Sequence, residues 1–149
     1  MTYDALRTGR VSIPGQIYLI TTVTADRQPV FAGFDLARAA IHEMRTLETD
    51  RWLTSLAWVL MPDHLHWLIQ LGDQVALPDV LKAFKGRSGQ RINKKRSQTG
   101  PLWQKAFHDR AVRQEDDLPA IARYIVANPL RAGLVQRIGD YPHWDAIWL

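Results

Sequence analysis

The stretch from His64 to Leu71 alternates two kinds of residue, and this alternation constrains the fold more than any other feature of the chain. Side chains along a β-strand point alternately to opposite faces of a sheet. One face of this strand would be wholly apolar, which favours its burial, and would carry Leu65, Trp67, Ile69 and Leu71. His64 and His66 would lie together on the other face. Two neutral imidazoles at this spacing can hold one divalent metal ion, although histidine pairs on a strand are more often merely structural.

A second motif lies near the end of the chain, where the sequence predicts a helix over Asp116–Ala127. An acidic N-cap and a proline in the first turn would begin it, and the residue before Pro129 would end it. Its apolar stripe consists of Leu118, Ile121, Ala122 and Ile125. Tyr124 and Asn128 stand four residues apart on one face. Each of them could instead have a structural role: Tyr124 as a helix tyrosine with a half-buried ring, and Asn128 as the C-cap of the helix.

The periodicity of the chain predicts the element order β-α-β-β-α-β-α. The predicted strands are Gln16–Thr24, Arg51–Leu60, His64–Leu71 and Phe107–Arg113. The predicted helices before the last are Asp35 to about Thr49 and Leu77 to about Asn93, the latter interrupted by Gly86 and Gly89. The first six elements match a ferredoxin-like fold, in which the first and third strands are central. We therefore predict an α+β protein with a four-stranded antiparallel sheet, followed by a helix that carries Tyr124 across the histidine face.

The charge of the chain is concentrated in one block. The formal net charge is +4, and eight of the 19 basic residues lie between Val80 and His108, where there is no Asp or Glu. The remaining 11 basic residues stand against all 15 acidic ones. A localised basic block favours a polyanion-binding site, although a solvated basic helix would look the same. The aromatic residues Trp103 and Phe107 lie in or beside the block and could stack on bases or belong to the core.

Composition excludes several classes of protein. At 149 residues with 46% hydrophobic residues, the chain can form a real core, and we predict one domain over residues 1–149. It has no cysteine, which excludes disulfides and thiolate metal sites. We find no signal-peptide pattern and no apolar run long enough to span a membrane, and therefore expect a cytoplasmic protein without a membrane partner.

Two motifs of this chain resemble those of a known family. His64-Leu65-His66 resembles the HUH motif of single-tyrosine transposases, and the segment from Tyr124 to Gly133 resembles the tyrosine helix of REP-associated tyrosine transposases. Asp63 is a departure, because many relatives carry Asn there. The resemblance extends from about Ile17 to Trp144. Smaller agreements are Met61-Pro62-Asp63, Leu102-Trp103-Gln104-Lys105, Phe107, Arg110 and Asp140-Tyr141-Pro142.

The resemblance implies a metal-dependent single-stranded DNA endonuclease and strand transferase. Tyr124 would attack the scissile phosphate and form a 5′-phosphotyrosine link, while His64, His66 and Asn128 would hold Mg²⁺ or Mn²⁺. The general base stays open between a water on the metal and His108. The substrate would be a palindromic hairpin with a single-stranded guide sequence. The protein would act at the nucleoid, as a monomer or a homodimer.

The basic block supplies the expected DNA contacts, which position the strand through its phosphates rather than reading bases. These predicted contacts are Lys82, Lys85, Arg87, Arg91, Lys105 and Arg110. Two alternatives to a transposase stay open. One is a non-catalytic single-stranded nucleic-acid-binding protein on the same fold. The other is a metallohydrolase with a water nucleophile, which is disfavoured because the sequence shows no carboxylate-rich metal set.

Overall fold

One antiparallel sheet organises the computed structural model, which describes residues 13–113 and 116–149. Its strand order is β4-β1-β3-β2-β5, so β1 and β3 are central as predicted. The predicted domain over 1–149 also includes residues 1–12 and 114–115, which lie outside the described residues. The strands are β1 (Ile17–Val23), β2 (Leu53–Met61), β3 (His64–Leu71), β4 (His108–Val112) and β5 (Trp144–Ala146).

Four α-helices accompany the sheet in the described part of the chain. They are α1 (Phe34–Thr49), α2 (Leu77–Lys95), α3 (Leu118–Val126) and the short α4 (Asn128–Arg131). The α+β, ferredoxin-like fold and its C-terminal helix are thus confirmed, with β5 as an unpredicted fifth strand. None of the helices in the described ranges is long and apolar enough to cross a bilayer.

The predicted interruptions of α2 were wrong, because the helix runs unbroken through both glycines. Gly86 is exposed, and a Cβ there would meet nothing within 4 Å. Gly89 is buried, and a Cβ would lie 3.6 Å from the Cβ of Leu102. A glycine costs a helix only about 1 kcal/mol relative to alanine, which the packing of the helix can outweigh.

The apolar face of β3 packs against α1 and α2, as the alternation predicts. Trp67 is fully buried in the same cluster as Met44 of α1 and Phe84 of α2. Its indole Nε1 donates a hydrogen bond of 2.9 Å to the Ser55 hydroxyl, so the polar group of this large side chain is satisfied inside the core. This layer makes β3 a fixed platform.

The opposite face of the sheet, which carries the histidines, is covered in part by α3. Ala122, Ile125 and Val126 of α3 cluster with Val59 of β2 and Leu68 of β3. The prediction that the tyrosine helix lies across the histidine face is therefore confirmed. The pairing of β2 with β3 shifts register between Ser55 and Ala57. Ala57 therefore pairs with Leu68 on the histidine face, whereas Ser55 pairs with Ile69 on the face that packs against α1 and α2.

The C-terminal segment is fixed to β2 by main-chain and side-chain bonds. The Tyr141 hydroxyl donates to the Leu60 carbonyl, and the Leu60 amide donates to the His143 carbonyl at 2.9 Å. The His143 ring is only 5% exposed and lies beside the rings of Phe34 and Tyr141. Among the described residues its Nδ1 has no hydrogen-bond partner.

His143 should therefore make the stability of the fold depend on pH. Burial of the ring, and secondarily the charge of Arg38, lower the pKa of His143 from its ordinary value of 6.5. The unfolded chain then binds a proton that the folded protein does not, so the free energy of unfolding should fall as the pH drops below about 6.5. Urea unfolding at about pH 7.5 and about pH 5.5 should show this loss, and His143→Gln should reduce it.

A matched control is His42→Gln, because His42 is exposed on α1. This variant should keep the pH dependence of the unchanged protein. If His143→Gln keeps it as well, the buried histidine is not its source.

Candidate functional site

His64 and His66 lie side by side on one face of β3. Their ring centroids are 4.8 Å apart and their planes meet at 84°, edge to face. Both residues are partly buried. Val23 and Thr21 of β1 lie directly opposite them in the sheet. The prediction that the two imidazoles lie on one face is confirmed. The two-residue turn at Pro62 and Asp63 makes His64 the first residue of β3.

Asp63 orients the His64 ring. Its Oδ1 lies 2.6 Å from His64 Nδ1, and its Oδ2 accepts a hydrogen bond of 3.3 Å from Arg27 Nε. Burial alone would raise the pKa of Asp63, but the hydrogen bond from His64 and the charges of His64 and Arg27 outweigh burial and lower that pKa below 3.8. An ionised carboxylate only accepts hydrogen bonds, so Nδ1 of His64 carries a proton, and a metal ion could be bound only through Nε2.

His66 is held by the neighbouring strand. Its Nδ1 lies 3.0 Å from the Thr21 hydroxyl. Burial, followed by the charges of His64 and Arg131, lowers the pKa of His66 to about 4. The ring is therefore neutral near pH 7, which is the form that binds a metal.

Tyr124 lies on the flank of α3 and is 68% exposed. The alternative interpretation, a structural tyrosine with a half-buried ring, does not hold, because the apolar stripe of α3 leaves this residue outside the core. The Arg131 guanidinium lies 3.9 Å from the centroid of the Tyr124 ring, and its Nη2 donates a bond of 2.6 Å to the Tyr124 carbonyl. The tyrosine hydroxyl is thus presented to solvent on a ring fixed from one side.

Asn128 stands at the joint between α3 and α4. The predicted end of the helix before Pro129 was only partly right, because Asn128 begins a further helical turn. Pro129 has no N–H that could donate to the carbonyl of Ile125, four residues earlier. The side-chain nitrogen Nδ2 of Asn128 donates to that carbonyl instead, at 2.8 Å. The amide oxygen of Asn128 is then the atom that the side chain can offer to a metal.

A row of paired residues connects His66 to His108 across three strands. His66 pairs with Thr21, and Thr21 pairs with His108. Directly paired residues share a face of the sheet, so His108 lies on the histidine face, two strands from His66. Arg110 lies on that face too, because it pairs with Leu19. This placement keeps His108 among the candidates for a base.

A metal ion at the histidine pair would need more ligands than the two imidazoles. No group of three His, Cys, Asp or Glu side chains suited to a metal occurs within residues 13–113 and 116–149. A site at the two histidines therefore needs a ligand of another type, and an amide oxygen meets that need. Amide oxygen and water are ligands that suit Mg²⁺ and Mn²⁺, whereas imidazole nitrogen suits divalent transition metals more generally.

The predicted DNA-binding residues fall on two sides of the sheet. Lys82, Lys85, Arg87 and Arg91 belong to α2, opposite the histidines, whereas Arg110 of β4 shares the histidine face. Lys105 lies in the loop before β4.

Several of these cations have protein partners already. Lys85 Nζ donates to the carbonyls of Gln104, Lys105 and Ala106 at 2.8–3.3 Å and thereby ties α2 to the loop before β4. Arg87 stacks on the Trp52 ring at 5.2 Å, and Arg91 lies 3.7 Å from Glu43. Lys82 is exposed.

Sequence reasoning did not identify Thr21, Arg27 and Arg131 as parts of the site. The contact between Thr21 and His66 follows from the pairing register of β1 and β3, which cannot be read from the sequence. Arg131 lies in the motif segment from Tyr124 to Gly133, but the predicted end of the helix before Pro129 hid its position beside Tyr124.

Comparison with known proteins relates the whole arrangement to one family. Residues 12–128 match the family described as "Transposase IS200 like", a range that includes His64, His66, Tyr124 and Asn128. A REP-associated tyrosine transposase of Escherichia coli K12 is 27% identical over an alignment of 106 positions, which covers 68% of this chain and 59% of that protein. The chain therefore spans well under two thirds of that relative.

Two further similarities cover more of the chain. A Haemophilus influenzae protein assigned to the same kind of transposase is 25% identical over an alignment of 145 positions, which covers 87% of this chain and 78% of that one. A solved structure of a REP-associated tyrosine transposase bound to a REP hairpin superposes with a TM-score of 0.73 at 22% identity, covering 91% of this chain and 79% of that one. The latter similarity shows a shared fold.

If His64 and His66 hold a divalent ion, Asp63 should set the strength of binding. Removing the hydrogen-bond partner of a metal-binding histidine usually lowers metal affinity by about 10-fold to 100-fold. We expect the Mn²⁺ affinity of Asp63→Ala, measured by titration calorimetry, to be lower than that of the unchanged protein by a factor in that range. Asp63→Asn should lose less, because the amide can still accept a hydrogen bond from His64.

Asp73→Asn is the matched control, since Asp73 is an exposed carboxylate in the loop after β3. It should bind Mn²⁺ like the unchanged protein. Equal affinity in Asp63→Ala would show that the Asp63–His64 bond has no part in holding a metal.

Proposed function

The chain belongs to the IS200-like transposase family, and we propose that it cuts and rejoins single-stranded DNA with Tyr124 as the nucleophile. One observation carries this proposal. An exposed tyrosine stands on a helix that packs over the sheet face carrying two paired, oriented histidines. A nucleic-acid-binding protein without catalysis could stack the exposed ring on a base, but it would not need the bonds that orient the imidazoles.

The proposed reaction is a phosphoryl transfer to tyrosine. The Tyr124 oxygen forms a bond to the scissile phosphorus, the bond to the 3′ oxygen of the upstream strand breaks, and the phenolic proton ends on that 3′ oxygen. The product is a 5′-phosphotyrosine link and a free 3′ hydroxyl. One phosphodiester bond replaces another, so a second 3′ hydroxyl can reverse the attack and join strands without a nucleotide cofactor.

His64, His66 and the amide oxygen of Asn128 would hold Mg²⁺ or Mn²⁺ in this proposal. A bound divalent ion would polarise a non-bridging oxygen of the scissile phosphate. The chain prepares the site through Asp63, which fixes the protonated nitrogen of His64, and through burial of His66, which keeps that ring neutral.

We further propose that the substrate is a palindromic hairpin with a single-stranded flank, as in the relative that is bound to a REP hairpin. The arrangement of the cations supports this. β4 is an edge strand of the sheet, and its residue Arg110 lies on the histidine face. The loop before β4 leads back to α2, which packs on the opposite face of the sheet. A DNA with its stem against the basic residues of α2 could pass around this edge and place its flank on the histidine face, which α3 covers on the side of β2 and β5.

Tyr124→Phe tests the nucleophile. The change keeps the ring and its stacking on Arg131 but removes the attacking oxygen, so folding and hairpin binding should persist while cleavage is lost. The assay is a denaturing gel of end-labelled hairpin DNA incubated with protein and Mg²⁺ or Mn²⁺. The unchanged chain should give a covalent protein–DNA band, and this band should vanish in Tyr124→Phe and in EDTA.

The same gel separates the alternatives. Free cut product without a covalent band would indicate hydrolysis by water, and shifted but uncut DNA would indicate binding alone. Tyr124→Trp is a second test of the nucleophile, because it keeps an aromatic ring without the hydroxyl and should also be inactive. Tyr18→Phe is not used as a control, because Tyr18 is buried. Cleavage by Tyr124→Phe at the rate of the unchanged chain would contradict the proposal.

The basic residues of α2 should contribute to DNA affinity through phosphate contacts. Lys82 and Lys94 are exposed, whereas Lys85 is occupied by three carbonyls, so Lys82→Ala combined with Lys94→Ala removes charge without loosening the fold. Each lost contact should reduce the slope of log affinity against log salt by about 0.7 to 0.9. The double variant should therefore lose about 1.5 units of slope in filter-binding titrations while its preference among hairpin sequences persists.

Arg45→Ala provides the control, because Arg45 is an exposed cation of α1 outside the basic block. Its slope should equal that of the unchanged protein. An unaltered slope in the double variant would mean that α2 does not contact the DNA backbone.

A further inference from the structure

Arg131 in α4 contacts the proposed nucleophile from two directions. Its guanidinium lies 3.9 Å from the centroid of the Tyr124 ring, and its Nη2 donates a hydrogen bond of 2.6 Å to the Tyr124 main-chain carbonyl. The first contact is a cation–π interaction and the second ties the side chain to the backbone of α3. The two contacts together fix the guanidinium and the ring relative to one another.

The helix that carries Tyr124 also packs on the histidine face of the sheet. Ala122, Ile125 and Val126 of α3 cluster with Leu68 of β3, which lies on the same face as His64 and His66. The contacts between Arg131 and Tyr124 therefore belong to the half of the site that lies over β3.

The chemistry of the side chain suits a phosphate. A guanidinium has five N–H donors in a planar fork, and the Tyr124 carbonyl takes one of them. Arg131 is exposed, so its fork is open to a ligand from solvent. Two parallel hydrogen bonds to neighbouring oxygens of one phosphate are the geometry that this fork matches best.

We propose that Arg131 is a further catalytic residue, whose guanidinium binds two non-bridging oxygens of the scissile phosphate while it holds the Tyr124 ring in place for attack. This inference rests on the proposed function. As the Tyr124 oxygen bonds to phosphorus and the bond to the 3′ oxygen breaks, negative charge on the phosphate oxygens is offset by a guanidinium that keeps its proton throughout. A fixed charge of this kind needs no reorganisation during the reaction.

The rival interpretation is purely structural. Arg131 would then only close the end of α3 by bonding the Tyr124 carbonyl. The two roles differ in one measurable respect, because a phosphate contact depends on the charge of the phosphate and a structural contact does not.

The test compares two hairpin substrates in single-turnover assays of the covalent adduct. One carries the ordinary phosphate at the cleavage position mapped for the unchanged chain, and the other carries an uncharged methylphosphonate there. Arg131→Gln should slow adduct formation about a hundredfold on the phosphate, as loss of one preorganised donor typically does. On the methylphosphonate it should react at the rate of the unchanged chain.

Arg123→Gln is the matched control, since Arg123 is an exposed cation beside Tyr124 on the same helix. It should slow neither substrate. Arg131→Lys keeps the charge but loses the fork, and should fall between Arg131→Gln and the unchanged chain. Thermal unfolding and hairpin affinity of each variant show whether the fold and binding are retained.

Each outcome decides the question. Equal slowing on both substrates, or no slowing on the phosphate, would overturn the phosphate contact. If neither the unchanged chain nor Arg131→Gln cuts the methylphosphonate, the ordinary phosphate substrate is tested with Arg131→Gly and added methylguanidinium. Failure of this cation to restore the rate of adduct formation overturns the proposal. If the unchanged chain forms no adduct at Tyr124, the proposed function fails and this inference with it. A fast Arg131→Gln alongside an inactive Tyr124→Phe removes only the inference.

Discussion

Burial of one face of β3 is the constraint on which the rest of the structure depends. Trp67 and the apolar residues beside it are enclosed by α1 and α2, and the strict alternation of a strand then obliges His64 and His66 to face the other way. A shift of one residue in register would bury both imidazoles and expose the indole. The core therefore fixes the site, and this explains why a small domain can hold two histidines at a constant separation without a dense network of polar contacts.

The fold could be predicted largely because its signals are local. The alternation in β3, the apolar stripe of α3 and the turn at Pro62 each depend on residues close in sequence. β5 could not be found in this way, since it has three residues and pairs with a strand more than 80 positions earlier. The unbroken course of α2 through Gly86 and Gly89 also depended on packing, which outweighs a local preference.

The site was predictable in its chemical identities but not in its supporting contacts. His64, His66, Tyr124 and Asn128 belong to motifs of short spacing, whereas Thr21 reaches His66 from 45 positions away. Arg27 reaches Asp63 from 36 positions away. Such pairs are set by strand register, which the sequence of one strand does not contain. The prediction of Lys85 as a DNA contact shows the converse: composition marks a lysine as basic but cannot show that three carbonyls surround its ammonium group.

The position of β4 at the border of the sheet has a consequence for the behaviour of the protein in solution. An edge strand offers unpaired main-chain groups to any other extended chain, and this is a common route to aggregation. β4 is short, with five residues, and three of them in succession, His108, Asp109 and Arg110, are polar or charged. Charges of both signs on so short a strand discourage the addition of a strand from another molecule. Among the described residues, the border beside the histidine face is therefore protected against this one route of association, the addition of a strand from another molecule.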